Sequence, residues 1–373
     1  MACIKRGGAV KFYESYGFRA FYCPATFFPH TANGWHPFWN PLSTYWFFSW
    51  LKQRYTSINN IQKAIGSENP DIIHLNSLTL APYLPSIVKI NANAILHVRE
   101  HVHPGSFGIR REWLRKVIIN HAASIIYICQ DNRDALTGSD SKGKVVYNPV
   151  DYDIFNKDID VEPLKQQVCG GLKSKVVLFV GGSDLVIKGI LPLLESLNLL
   201  KTRFKDLKCI MLGTSFTPSN RLLLKIRRNV ANSLGIYSVR QQIQRAIIQY
   251  SLENNVVSLP FQHDIQNYYA MADVVAVPFI KPHFARQVIE AGAMAKPVVA
   301  SKIGGIEEVV EQDKTGLLVS PGDGKTLAAG IVRILEDRTE ARRMGDEAYQ
   351  VAKRKYDVDV HVDQVVDIYK SVI

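Results

Sequence analysis

A chain of 373 residues is longer than one hydrophobic core usually organises, so two domains are expected. Hydrophobic residues make up 47% and charged residues 21%, which excludes a disordered chain, and no apolar run is long enough to span a bilayer. The formal net charge of +11 calls for an anionic partner, and nucleic acid, anionic lipid or a phosphorylated substrate would each satisfy it.

The first elements are unusual. Gly7-Gly8 follows only six residues, and the next strand candidate, residues 18–22, arrives too soon for a full crossover helix. Either the first βαβ unit is missing or the domain opens differently. Four of the five tryptophans follow, Trp35, Trp39, Trp46 and Trp50, interleaved with Phe38, Tyr45, Phe47 and Phe48 and trailed by Lys52 and Arg54. Farther on, Arg110, Arg111, Arg115 and Lys116 flank Trp113 on a predicted helix. Rings beside cations suit an anionic membrane interface, and equally an aromatic core under a basic face.

From residue 71 onward short apolar runs alternate with helix-length segments. Residues 71–75, 94–98, 124–128 and 144–148 are rich in β-branched side chains and read as buried parallel strands. A turn at Asn148-Pro149 and a linker from about 157 to 175 lead to a second series at 175–180, 209–212, 256–259, 274–277, 297–300 and 316–319. This α/β order predicts two Rossmann-like domains with parallel sheets facing across a cleft. The expected bounds are 1–156 and 157–352, with a terminal helix over 353–373 returning to the first domain. A basic stretch from Lys225 through Arg228 to Arg240 and Arg245 reads as a helical insertion. Five cysteines without CxxC spacing, and no signal-peptide segment, predict reduced thiols in the cytoplasm and no structural zinc.

The densest chemistry lies between His283 and Val310. A loop enters a short helix, a buried strand follows, and Gly304-Gly305 opens the next segment. Those glycines serve either a turn at positive φ or a close nucleotide approach. Backbone N–H groups at Ala285, Arg286 and Gln287 would suit a pyrophosphate. Glu290, one turn farther in, is an acceptor-only group held on a helix, which suits the paired hydroxyls of a ribose. No GxGxxG with a distal acidic residue supports a nicotinamide dehydrogenase, and no nucleic-acid module is present.

These residues resemble family 4 glycosyltransferases of the GT-B fold, whose hallmark is Glu-x7-Glu, then Ala-Met-Ala-x-Gly-x-Pro-Val and Gly-Gly-x-x-Glu-Val-Val. Phe179-Val180-Gly181 with Lys188-Gly189, Tyr268 to Val275, and Thr315 to Val319 with Pro321-Gly322-Asp323 match in the family's order. The resemblance implies a retaining transferase that moves a sugar from a nucleoside-diphosphate sugar to a glycan or lipid-linked acceptor. It implies no cofactor beyond that donor, and no DxD string is present to hold a metal. Glu290 would bind the donor ribose, Lys188 would neutralise the leaving pyrophosphate, and Gly181, Gly182 and His283 would lie beside the donor. Two positions depart from the pattern. Pro282 stands eight residues before Glu290, where the sugar-contacting glutamate is expected, and Gly182 stands in place of an arginine. Arg286, at the phosphate-facing helix start, would restore the lost charge. In the first domain, His97, Arg99, Glu100 and His101 follow a strand and are expected to open toward the cleft, with His97 and Glu100 as catalytic candidates.

Overall fold

The computed structural model describes residues 1–4, 8–29, 41–90, 93–102, 104, 106–138, 142–182, 185–214 and 239–373. Gly7, Trp35, Phe38, Trp39 and the basic stretch at Lys225 to Arg228 lie outside them. The chain divides into two compact units, Met1–Tyr147 with Val362–Ile373, and Asn148–His361.

The first unit opens on a reduced βαβ unit. Strands β1 (Ala2–Cys3) and β2 (Phe21–Tyr22) pair in parallel across a helix of seven residues, α1 (Ala9–Ser15). Helix α2 (Pro41–Glu68) buries Trp50, Ser57 and Ile65 along one stripe. It ends at Asn69, whose φ of 42° is a left-handed conformation that asparagine tolerates, and whose N–H donates to the Ile65 carbonyl at 2.8 Å. Strands β3 (Ile72–Leu75), β4 (Asn93–Val98), β5 (Ser124–Tyr127) and β6 (Gly143–Val145) then form one parallel sheet in chain order. Between them run a 3-10 turn (Leu78–Tyr83), α3 (Leu84–Ile87), α4 (Ile109–His121) and α5 (Gln130–Leu136). Leu114 and Ile118 of α4 are fully buried against one face with Tyr83, Leu84, Leu96 and Tyr127.

The second unit begins with α6 (Glu162–Cys169) and carries six parallel strands: β7 (Lys175–Val180), β8 (Leu207–Leu212), β9 (Val256–Leu259), β10 (Val274–Val277), β11 (Val298–Ser301) and β12 (Gly316–Val319). The helices between and after them are α7 (Ile190–Leu200), α8 (Val239–Gln249), α9 (Ile265–Met271), α10 (Arg286–Ala293), α11 (Gly324–Glu336) and α12 (Arg338–Tyr356). The inner residues of β7 and all of β10 and β11 are buried, as expected of strands covered on both faces. Leu193, Leu194 and Leu197 of α7 meet Ile331, Ile334 and Leu335 of α11 over one face. The sheet order is β12-β11-β10-β7-β8-β9. Successive strands therefore run outward from β7 one way and from β10 the other, and the order reverses between those two strands. In such sheets ligands bind beyond the carboxyl ends of the strands at this reversal.

The last helix, α13 (Val358–Lys370), places Ile368 against Ile95, Ile126 and Val146 of the first unit. It covers the face of that sheet opposite α4.

Candidate functional site

At the reversal point, β7 runs into Gly181 and Gly182. A side chain at Gly181 would meet the Leu212 carbonyl at 2.9 Å and Thr214 at 2.7 Å, so only glycine fits there. Gly182 turns the chain at φ +108°, a region closed to most side chains. Lys188 returns toward this turn. Its Nζ donates to the Gly181 carbonyl at 2.5 Å and lies 5.9 Å from the Phe279 ring centroid. Gly189, at φ +75°, allows the Pro278 carbonyl to sit 1.7 Å from where a Cβ would stand. The Ile280 N–H donates to the Ile187 carbonyl at 2.8 Å. Lys188 is thus held between the ends of β7 and β10 by backbone contacts that a larger residue at 189 would break.

The loop after β10 brings up the second group. Ala285, buried and extended, precedes α10 and offers no side chain to cap its first N–H groups. Gln287 reaches the Val180 carbonyl with Nε2 at 3.4 Å. The His283 ring lies 5.6 Å from that of Phe279, and Gly305, at φ +80°, comes close enough that a Cβ would meet the His283 carbonyl at 3.2 Å. Positive φ and close backbone approach thus coincide at Gly305. Glu290 is 9% exposed, and both of its oxygens are engaged. The Tyr269 hydroxyl donates to Oε2 at 2.7 Å, and the Arg286 guanidinium lies 3.2 Å from Oε1. Burial, reinforced by the Glu290 charge, pushes the Tyr269 phenol well above its ordinary range, so it stays a donor. Gly181, Gly182, Lys188, His283, Ala285, Arg286, Gln287 and Glu290 therefore all gather at one end of the second unit's sheet. Pro282 offers no carboxylate there. Sequence reasoning missed Tyr269 as a partner of Glu290, although the Tyr268-Tyr269 pair was visible. An aromatic on a short apolar helix gives no sign of where its hydroxyl points.

In the first unit one expectation needs correction. His97 does not open a loop; it lies inside β4 and is 2% exposed. The apolar run extends through Val98, and strand alternation places His97 on the same face as Ile95, beneath α13. Its Nδ1 lies 3.3 Å from His74 Nε2, and His74 Nδ1 lies 2.6 Å from the Tyr369 hydroxyl. The loop begins at Arg99, which donates to Asn76 at 3.2 Å. Glu100 accepts from the Ser77 hydroxyl at 2.5 Å and from the Leu78 N–H at 2.8 Å, so its carboxylate closes the start of the 3-10 turn. His101 Nδ1 lies 3.1 Å from Asp131. These contacts join the segments that follow β3, β4 and β5 along the carboxyl edge of that sheet.

The aromatic segment divides by burial. Trp50 is buried against Phe28, with ring centroids 4.9 Å apart, and Arg54 lies over its ring. Leu42, Tyr45, Trp46, Phe48, Leu51 and Tyr55 of the same helix are exposed, and Arg110 lies over Phe47 at 5.4 Å. The core reading therefore holds for Trp50, while the first half of α2 keeps an apolar outer surface. No described helix is long and apolar enough to cross a membrane.

Comparison with known proteins agrees with this geometry. The family model described as glycosyl transferases group 1 matches residues 162–351, about half of the chain. A D-inositol 3-phosphate glycosyltransferase of Corynebacterium urealyticum is 27% identical over 297 residues, covering 78% of this chain and 65% of that protein. An N-acetyl-alpha-D-glucosaminyl L-malate synthase of Bacillus anthracis is 29% identical over 122 residues, 33% of this chain and 32% of that one. The aligned chain thus spans less than two thirds of the length of these curated relatives. The crystal structure of Anabaena HepE with UDP and glucose superposes with a TM-score of 0.78 at 21% identity, covering 99% of this chain and 91% of that one. That likeness establishes a shared fold of two parallel-sheet α/β units, the GT-B architecture. With the family match over its second unit and this fold, the chain belongs to the glycosyl transferases group 1.

Proposed function

We propose that this protein is a retaining glycosyltransferase that moves a sugar from a nucleoside-diphosphate sugar to a glycan or lipid-linked acceptor in cell-surface polysaccharide or glycoconjugate synthesis. The observation that carries this reading is the meeting of Lys188, Gly181, Gln287 and Glu290 at the strand-order reversal of the second unit. Glu290 accepts the ribose hydroxyls. Lys188 sits where negative charge grows as the diphosphate leaves, and a fixed cation favours that state over the bound substrate. The acceptor oxygen bonds to the anomeric carbon on the face that the phosphate leaves, and the phosphate takes the acceptor's proton. The protein's part is orientation and charge neutralisation. Relatives named for transfer to inositol phosphate and malate, and a fold neighbour crystallised with UDP and glucose, support a nucleotide-sugar donor. Incubation with UDP-, GDP- and ADP-sugars, followed by assignment of the product anomer, tests the reading. Release of nucleoside diphosphate with a retained anomeric configuration is expected; inversion, or no turnover with any donor, contradicts it.

Pro282 favours a second reading, a non-catalytic relative that binds nucleotide or a partner transferase, because proline cannot contact the transferred sugar as a glutamate would. Tight nucleotide binding without turnover would select it.

For the acceptor side we propose an anionic membrane surface on the cytoplasmic side. The exposed first half of α2 supports this, together with the 17 basic against 10 acidic residues of the first unit. All five cysteines are buried and none is in a disulfide, in keeping with a reducing compartment. Co-sedimentation with vesicles containing phosphatidylglycerol is expected, and Trp46→Ser with Phe48→Ser should weaken it. No pelleting with or without anionic lipid would remove the membrane from the account.

A further inference from the structure

We propose that Arg286 is an exchangeable counter-ion: it competes with the donor ribose for Glu290 and passes to the donor diphosphate when the ribose displaces it. This rests on the ribose-binding role of Glu290 given above and adds a device to it. The two oxygens of Glu290 are held from different sides. On Oε2 sits Tyr269, which is fully buried and fixed in α9. On Oε1 sits Arg286, whose side chain is 57% exposed. The approach to this carboxylate from solvent therefore lies on the Arg286 side. A ribose diol must reach the lone pairs that Tyr269 leaves open from the solvent side of the carboxylate, and the guanidinium covers that side.

Position makes the exchange favourable. Arg286 is the first residue of α10, where the helix dipole disfavours a cation. Its pairing with Glu290, one turn on, offsets that. Once the carboxylate is taken up by hydroxyls, the guanidinium is left at a helix start beside the turn that carries Lys188. A diphosphate there is a better partner, since the guanidinium fork can grip two phosphate oxygens. Gly182 brings no charge to this turn, so Arg286 supplies the cation that position lacks. The exchange links two recognition events: a nucleoside alone must displace Arg286 without return, while a nucleoside diphosphate gives it a new partner.

Calorimetric titration of the full chain with uridine and UDP, guanosine and GDP, and adenosine and ADP tests this in wild type, Arg286→Gln, Arg286→Lys and Tyr269→Phe. For the base that wild type binds, Arg286→Gln should weaken the diphosphate about tenfold, as expected on losing one charge-assisted contact. The same variant should bind the nucleoside as well as wild type or better. Arg286→Lys should restore part of the diphosphate preference. Tyr269→Phe, which acts only through Glu290, should weaken nucleoside and diphosphate alike. The proposal is overturned if Arg286→Gln weakens both ligands equally, or changes neither. If wild type binds none of the six compounds, the nucleotide-binding reading itself falls.

Discussion

Glu290 shows how much a single carboxylate depends on its surroundings. It is buried, charged and useful only if its oxygens point outward, so something must hold it from within, and Tyr269 does so. Tyr269→Phe keeps the ring in the core and removes one hydrogen bond to a buried carboxylate. We expect it to lower stability by about 2 kcal/mol, read as a shift in the urea midpoint with an unchanged slope. Asp313 makes a prediction of the opposite kind, at the surface. The Arg333 guanidinium, 2.5 Å away, holds its carboxyl below the ordinary range, with Gln312 adding a hydrogen bond. A carboxyl depressed in the folded state contributes stability above its unfolded pKa and loses it as pH falls through the folded value. Asp313→Asn should therefore lower Tm slightly at pH 7, by an amount that shrinks as pH falls below the ordinary aspartate range. Asparagine tolerates the φ of 62° at this position, so the backbone does not confuse the result. The change should be small because both partners are about half exposed.

At the scale of elements, the α10–β11 connection carries strain at a third position that departs from the hallmark. In the hallmark a glycine stands two residues before the Pro-Val; here that residue is Ala295, at φ 53°. A left-handed alanine costs roughly 1–2 kcal/mol, while the glycine alternative loses part of that gain to its freer unfolded chain. Ala295→Gly should raise Tm by a few degrees, for a net gain of ~0.5–1 kcal/mol. Gly189 is the reverse case. Gly189→Ala places a Cβ 1.7 Å from the Pro278 carbonyl at a positive φ, so the end of β10 must separate from the start of α7. We expect a loss of at least ~2 kcal/mol, together with loss of nucleotide affinity, because Lys188 is positioned by the same contact. A variant as stable as wild type would show that this junction is looser than described.

The strands of both sheets were legible in the sequence because parallel strands covered on both faces are continuous β-branched runs. Residues 71–75 and 274–277 carry no competing pattern. The grouping of Lys188 and Glu290 at one end of the second unit's sheet was legible for a different reason: both sit in motifs whose spacing is fixed by strand, turn and helix lengths. What the sequence concealed is set by side-chain direction across elements. His97 reads as opening toward a cleft because nothing local shows that α13 covers that face of β4. Glu100 reads as an acid because its role at the start of the 3-10 turn depends on Ser77 and Leu78, over twenty residues away. The short opening unit was obscure because two-residue strands carry no periodicity to detect.

Across the whole molecule, we propose a nucleotide site at the reversal of the second unit's strand order, with Glu290 and Lys188 holding a nucleoside diphosphate there. The most direct test is calorimetric titration of wild type, Glu290→Gln and Lys188→Met with UDP, GDP and ADP. Glu290→Gln removes the charge and replaces one acceptor with a donor, leaving size unchanged; Lys188→Met removes the cation together with its hydrogen bond to the Gly181 carbonyl. One of the three diphosphates should bind wild type, with each substitution weakening it about tenfold or more. Unchanged affinity in both variants, or no binding of any diphosphate to wild type, would contradict the account.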